Sequence, residues 1–366
     1  MRTDERGVAS PSLKCGNILL SISYAIERYA ITKVLARSIC MKSSVIITSY
    51  NRSWALPHCL GSLATQSLLP DEVIVVLKPS GDGSEEIIDE HGDNLPIRTI
   101  IQKEGNVAVA AAMGIEAANG DLLIFIDDDA VAHREFIERY SRLFSQLQNP
   151  GGLTGVVFSQ PYGGEGDMEL QIGSIQPRRS PKRTLSFRRP LSAYRKYDEW
   201  ITVSGHHSRH TIDLDGPMGS ILSPLLMGCN MALLKTAVDD CPLAQLYGRS
   251  KSCLRYESLL ALWARLKGYE TYICLDVHRA PIVWHLVHDS STLSRGKGFK
   301  GEFWRYTDDS SFYFKLKKLG LDVSFFDYSL FSLTDVVGTL LSEPRKFLPR
   351  SLAAGYTFLT RLIGHY

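Results

Sequence analysis

With 366 residues, 44% of them hydrophobic, the chain can hold one large α/β domain with appendages, or two domains, around a sizeable core. Its 41 basic and 39 acidic residues leave a net charge of +2, which supplies no global drive towards nucleic acid. Its 7 cysteines, an odd number without CxxC spacing, argue against a disulfide framework or a zinc ribbon and suit a reduced, cytosolic protein, and no apolar run reaches the roughly eighteen residues of a membrane-crossing helix.

Residues 1–41 fit poorly with the rest of the chain. The stretch Asn17 to Ile22 has the apolar character of a signal peptide, but Glu27 and Arg28 interrupt it and no small-residue cleavage site is evident. The expectation is that Met41 is the natural start and that the residues before it are an extension or a loose helix. From Ser44 strands and helices alternate. Val45 to Thr48 reads as a buried strand, Ser49 to Arg52 as a polar turn, and 53–67 as a helix with Leu56, Leu60 and Leu63 on one face. A strand at 72–76, a Pro/Gly loop from Lys78 to Ser84, a helix near 84–90 and a strand at 97–101 come next. The Ala-rich residues 107–118 suit a helix lying close on a sheet. Such alternation predicts a mostly parallel sheet with helices on both faces.

The next stretch is Gly120-Asp121-Leu122-Leu123-Ile124-Phe125-Ile126-Asp127-Asp128-Asp129: a strand buried on both faces that runs into three carboxylates. Extended geometry puts Asp127 and Asp129 on one side and Asp128 on the other. Two carboxylates about 4 Å apart repel by roughly 4 kcal/mol at an effective dielectric near 20. Either they splay into water, capping a helix that starts near Ala130, or a divalent cation sits between them. In parallel α/β sheets ligands bind beyond the carboxyl ends of strands, where this cluster lies.

Residues 151–225 are rich in Gly, Pro and Ser, with a basic run from Arg178 to Arg189, and read as an excursion of loops and hairpins. Order returns at Met227 to Leu233, then a helix at 256–267 ended by Gly268, then a strand at 272–275. His206, His207 and His210 lack the helical frame and intervening Glu of a metalloprotease motif and read as a polar loop. From Phe303 onward apolar and basic residues, among them Phe312, Phe314, Lys315, Lys317 and Lys318, recur at helical spacing, giving an amphipathic helical region over 301–366.

Four stretches together resemble family 2 glycosyltransferases of the GT-A fold. They are Ser44 to Arg52; Asn106 to Gly114 with Ala117 and Gly120 to Asp129, similar to the approach to that family's DxD motif; Gly228-Cys229-Asn230-Met231; and the helix 256–267 with Gly268-Tyr269, followed by Pro281-Ile282-Val283-Trp284-His285. The resemblance covers about 42–295, and the tail echoes rhamnosyltransferase-like members. It implies a GT-A domain over 42–300 that uses Mg²⁺ or Mn²⁺, a nucleotide-sugar donor and a glycan or lipid-linked hydroxyl acceptor, with inversion. Asp127 and Asp129 would hold the metal, or Asp127 would reach the ribose. Asp128 would cap or support them on the nucleotide-sugar side. His285 would complete the metal site, with His288 as fallback. The position of the family's base falls on Glu257, beside Tyr256 on the acceptor side, as is Asn230. Thr48, Tyr50 and Arg52 would line the nucleotide pocket, Tyr50 stacking on the base and Arg52 reaching a phosphate or the surface.

The chain departs from the family pattern in four places, the first being the longer side chain of Glu257 where the resemblance implies an Asp as base. Leu77 and Lys78 stand where an Asp is usual, so Asp82 is the substitute reader of base or ribose. Ala111 and Ala112 replace an Arg-Asn pair, and Trp263 replaces an Arg. These departures keep open a catalytically inactive nucleotide-sugar or membrane-binding protein. A sugar nucleotidyltransferase would need a Gly-rich basic loop after the first strand, and a processive synthase would need membrane spans and Gln-x-x-Arg-Trp; none is present. The basic run and the tail suit either contact with an anionic membrane or, respectively, a solvated loop and a tail packed on the domain. The placement expected is cytoplasmic, either free or peripheral on the inner membrane face.

Overall fold

The computed structural model describes residues 41–161, 169–170, 220–223, 226–287 and 298–362. The N-terminal extension, most of the 151–225 excursion with its Arg178–Arg189 run, His206, His207, His210 and His288 lie outside them. In chain order the elements are β1 (Ser43–Ser49), α1 (Leu56–Ala64), β2 (Glu72–Leu77), α2 (Ser84–Glu90), β3 (Ile97–Ile101), α3 (Val107–Ala117), β4 (Leu122–Ile126), β5 (Ala130–Ala132), α4 (Phe136–Gln146), β6 (Pro150–Thr154) and β7 (Val156–Pro161). Then come β8 (Glu169–Leu170), β9 (Ser220–Leu222), β10 (Asn230–Leu234), α5 (Lys235–Val238), α6 (Leu243–Tyr247), α7 (Tyr256–Leu266), β11 (Glu270–Cys274) and β12 (Ile282–Val287). Three helices close the described chain: α8 (Gly298–Lys318), α9 (Phe325–Ser342) and α10 (Pro344–Leu362).

The central sheet has 8 strands in the order β3-β2-β1-β4-β10-β6-β11-β9, and a second sheet has 4 in the order β5-β12-β7-β8. Among the described strands of the central sheet, only β10 and β9 run against the rest. The α/β, mostly parallel architecture with a helical C-terminal region is therefore the one expected. Alternation along β1 divides the core: Val45 and Ile47 face α1 and α4, whereas Ile46 faces α3, α7 and α8. Phe312, Tyr313 and Leu316 of α8 belong to that second core, so this helix packs against the sheet domain.

Close approaches at Gly114 and Gly120 leave no room for a side chain beside β1. A Cβ on Gly114 of α3 would stand 2.5 Å from Ile46 Cγ2, and one on Gly120 would stand 2.6 Å from Ser44 Oγ. The Ala-rich face of α3 thus brings its backbone onto the sheet, and Asn106 caps it by accepting from the N–H groups of Ala108 and Val109. Two boundaries differ from expectation. The helix predicted at 53–67 spans only Leu56–Ala64, because Pro57 fixes its first turn and Thr65 ends it. No helix starts at Ala130: the residues after Asp129 form β5, which pairs with β12, and the helix begins at Phe136.

Candidate active site

The site is built where β4 ends. Its five residues are buried throughout, and the first polar side chain to emerge belongs to Asp127. The chain then turns, with the Ala130 N–H donating to the Asp127 carbonyl at 3.1 Å, and enters β5. Pairing of β5 with β12 sets His285 opposite Ala130, and the Leu286 N–H donates to the Asp129 carbonyl at 2.7 Å. A strand from the far end of the domain thus carries an imidazole to the acidic turn. His285 Nε2 lies 2.9 Å from Asp129 Oδ1 and 3.8 Å from Asp127 Oδ2. Asp127, Asp129 and His285 each offer a ligand atom within 4.8 Å of the others. Two carboxylates and one imidazole in that spacing can hold a divalent cation.

Arg52 occupies the opposite side of the turn. Its Nε stands 3.4 Å from both Asp128 Oδ1 and Asp129 Oδ2, and its guanidinium lies 5.8 Å from the centre of the Trp54 ring. Only 5% of the residue is exposed, so it neither reaches the surface nor stands free for a phosphate as expected. Asp129 therefore divides its two oxygens between an arginine and a histidine.

Burial dominates the electrostatics. It raises the Asp127 carboxyl, the neighbouring Asp129 adds to this, and His285 and Arg52 oppose it. Burial and Asp129 push Asp128 to about 8 against the pull of Arg52. His285 is raised as well: burial disfavours its charged form, but the bond to Asp129 and the charges of the three aspartates outweigh it. Glu257 is pushed to about 8 by burial, with the field of Asp127 adding and the N–H groups of Gly228 and Glu257 itself opposing. The Cys229 thiol, raised first by burial, feels Asp127, Asp129 and Glu257 at once. Glu257 and the acidic turn therefore feel one another's charge, and groups perturbed in this way cluster at functional sites.

Glu257 sits in the first turn of α7, and the approach to it is held from two directions. Gly228 comes so close that a Cβ there would lie 2.7 Å from Tyr256 Oη and 3.0 Å from Glu257 Oε1. From the C-terminal region, Asp308 of α8 accepts from Ser252 N–H and Oγ at 2.7 and 2.5 Å, and Asp309 pairs with Arg255 at 2.6 Å. Cys253 and Arg255 adopt left-handed φ values of 53° and 69°, unusual for residues with side chains. Asp308 and Asp309 bond Ser252 and Arg255 of this turn.

The other predicted residues lie in and just after β1, in the loop after β2, in β10 and in α7. Thr48 is half-buried at the end of β1, and Tyr50 is 49% exposed with the Lys78 ammonium 5.6 Å from its ring centre. Asp82 is a clamp: its carboxylate accepts from Ser53 N–H at 2.9 Å, Ser80 Oγ at 2.8 Å and Ser84 Oγ at 2.7 Å. Partial burial pushes that acid up, but these hydrogen bonds win and hold it at about 2. Asn230, expected on the acceptor side, is instead fully buried; it accepts from Tyr140 Oη at 2.6 Å and donates to the carbonyls of Val156 and Pro281 at 2.8 and 3.1 Å. It locks the two sheets together. Tyr256 is 7% exposed, beside Glu257. Trp263, in the place of an arginine, donates from Nε1 to Asp240 at 2.8 Å. Sequence reasoning missed Gly228 as the neighbour of Glu257 and the brace from Asp308 and Asp309.

Residues 44–196 match the family model described as glycosyl transferase family 2. The glycosyltransferase AglE of Haloferax volcanii is 35% identical over 129 residues, 33% of this chain and 41% of its own length. The validoxylamine A glucosyltransferase of Streptomyces hygroscopicus subsp. limoneus is 31% identical over 99 residues, 26% of this chain and 22% of its own length. The chain thus spans less than half the length of these relatives. Among solved structures, S. aureus TarS 1–349 with UDP-GlcNAc aligns at a TM-score of 0.45 and 14% identity over 87% of this chain and 90% of its own. The mannosyltransferase PcManGT of Pyrobaculum calidifontis with GDP-Man and Mn²⁺ aligns at 0.44 and 14% over 93% and 98%. No residue role is carried over from likeness of that degree. The match to the family model holds β1, Arg52 and the whole acidic turn, and it covers less than half of this chain.

Proposed function

We propose that the protein moves a single sugar from a nucleotide-sugar donor to a hydroxyl acceptor, with inversion and with a divalent cation. The observation that supports this reading is the cluster at the end of β4, where Asp127, Asp129 and His285 offer ligand atoms that all lie within 4.8 Å of one another. Glu257 takes the proton of the acceptor hydroxyl. The acceptor oxygen bonds to the anomeric carbon from the face opposite the leaving group, and the bond to the diphosphate breaks with its electron pair going to the diphosphate. A Mg²⁺ or Mn²⁺ held by Asp127, Asp129 and His285 would offset the charge that gathers on that leaving group. Arg52 keeps Asp128 and Asp129 oriented, and the exposed ring of Tyr50 offers a stacking face for the base. Hydrolysis of UDP-, GDP- and dTDP-sugars with Mn²⁺ tests the reading. Turnover of one donor that disappears in Asp129→Ala supports it; binding without turnover in the native protein would refute it.

The acceptor side is proposed to work at an anionic membrane. No helix among the described residues is long and apolar enough to cross a bilayer. However, α9 exposes Phe326, Leu333 and Leu341, and α10 exposes Leu348, Leu352 and Leu359, at helical spacings. Flotation with anionic liposomes should retain the native chain and release Leu341→Glu/Leu359→Glu. Equal flotation of the two removes the proposal.

A further inference from the structure

The residues that lead into α7 are arranged in a way that a helix start does not require. Arg255 stands at the N-cap, where Ser, Thr, Asp, Asn or Gly is favoured, and its side chain makes no capping bond. Instead its guanidinium is turned to α8, paired with Asp309 at 2.6 Å and 5.6 Å from the centre of the Phe312 ring. Just upstream, Ser252 gives both its N–H and its hydroxyl to Asp308, which is 4% exposed. Cys253 and Arg255, at these anchors, hold φ values of 53° and 69°. Left-handed backbone is costly for a residue with a Cβ and persists where its surroundings over-determine it, most often at functional sites. The start of the same loop is tied separately, by Asn106 donating to the carbonyls of Tyr247 and Ser250. What α8 secures is the last stretch, 252–255, immediately ahead of Tyr256 and Glu257. Apolar burial of Phe312, Tyr313 and Leu316 already attaches α8 to the sheet domain, so two acids aimed at one short stretch are not needed to hold that helix down.

We infer that Asp308 and Asp309 are positioning residues for proton transfer: acting through Ser252 and Arg255, they set where α7 begins and so where the Glu257 carboxylate stands. The inference rests on the proposed role of Glu257 as base. On its other side that carboxylate accepts from the N–H of Gly228 and from its own. Gly228 approaches so closely that a Cβ there would lie 3.0 Å from Glu257 Oε1. A base confined on one side is only as well placed as the backbone that carries it, and a misplacement of about 1 Å can cost on the order of 10²-fold in rate. The tie also gives the C-terminal region a part in the reaction. Arg350 of α10 pairs with Glu302 of α8 at 2.6 Å, so the helices beyond the sheet domain support the helix that holds the base in place.

Asp308→Asn and Asp309→Asn keep the size of each side chain and remove the charge that strengthens its bonds. Two measurements read the effect. One is steady-state kinetics with whichever UDP-, GDP- or dTDP-sugar the native protein hydrolyses in Mn²⁺; the other is hydrogen exchange of residues 251–258 followed by mass spectrometry. Each variant should lower kcat by about ten- to a hundredfold and keep the donor KM within about twofold of native. Exchange should quicken at 251–258 while 122–129 stays protected. In the Glu257→Gln background the same substitutions should cost nothing further, because a residue that acts through the base has nothing left to act on. A merely structural role gives the same fractional loss of kcat in both backgrounds, and that result overturns the inference. Native kcat or native exchange in Asp309→Asn overturns it too; that side chain is 27% exposed, so this variant reads the tie even if Asp308→Asn fails to fold. If Glu257→Gln keeps native kcat, or the native protein turns over no donor, the proposed activity falls and this inference with it, an outcome distinct from failure at Asp308 and Asp309 alone.

Discussion

At the scale of single residues the site is a negotiation among four carboxylates and two bases. Arg52 is the residue whose removal should cost most in stability, because it leaves Asp128 and Asp129 buried without their guanidinium. Arg52→Met should lose about 3–5 kcal/mol in urea unfolding at pH 8 without metal. Glu257 makes a kinetic prediction. A base works only when it has lost its proton, so kcat/KM should climb with pH towards the region of 8 and then level off. Glu257→Gln should lower kcat by about 10²–10⁴-fold and flatten that limb. A cation bound beside Asp127 shifts the limb to lower pH, which titration with Mn²⁺ would display. That Asp127, Asp129 and His285 come together could be expected from the sequence, because each sits in a motif at a fixed place relative to a strand. The roles of Arg52, Asp82 and Asn230 could not, since motif spacing cannot say whether a side chain points at a ligand or is consumed by its neighbours. Asn230 illustrates this: its Oδ1 is taken up by Tyr140 of α4 and its Nδ2 by the carbonyls of Val156 and Pro281.

At the scale of elements, the alternation of β1 to β4 with α1 to α3 could be read from apolar runs and helical spacing, though α1 is shorter at both ends than its spacing suggested. The arrival of β12 beside β5 could not, because its register depends on pairing across a long stretch of chain. Nor could the reversed direction of β10, since a buried five-residue run looks alike in either orientation. The packing of α3 yields a sharp test. Gly114→Val would force its side chain into Ile46 Cγ2, already 2.5 Å from the position of a Cβ. Overpacking of this kind costs about 1–3 kcal/mol or more, visible as a lowered melting temperature. Asn106→Ala should cost about 1–2 kcal/mol through the lost cap. It should also loosen the loop that Asn106 holds by donating to the carbonyls of Tyr247 and Ser250 at 2.8 and 2.9 Å.

At the scale of the whole molecule, the site places a tax on the fold that depends on pH. Asp127, Asp128 and Glu257 all hold their protons more tightly when folded than the ordinary values of 3.8 to 4.5, Asp128 and Glu257 up to about 8. The folded chain therefore carries more protons than the unfolded one across that interval, and metal-free stability falls as pH rises through it. His285, also raised, contributes in the same direction as it loses its charge. Asp82 acts oppositely: its stabilisation is present above its ordinary range and is lost as pH falls towards 2. The melting temperature of the EDTA-treated protein should thus decline from about pH 5 to pH 8. Added Mn²⁺ should restore more at pH 8 than at pH 5.

The position of β10 has a consequence for the making of the protein. It is hydrogen-bonded to β4 on one side and to β6 on the other, yet it is translated after both. While the ribosome is still adding the roughly hundred residues between β4 and β10, at about 5–20 residues per second, two apolar strand edges wait without a partner. Newly made chains are then sticky for several seconds, and a helper that shields those edges during elongation would raise the yield of native protein without altering its final stability.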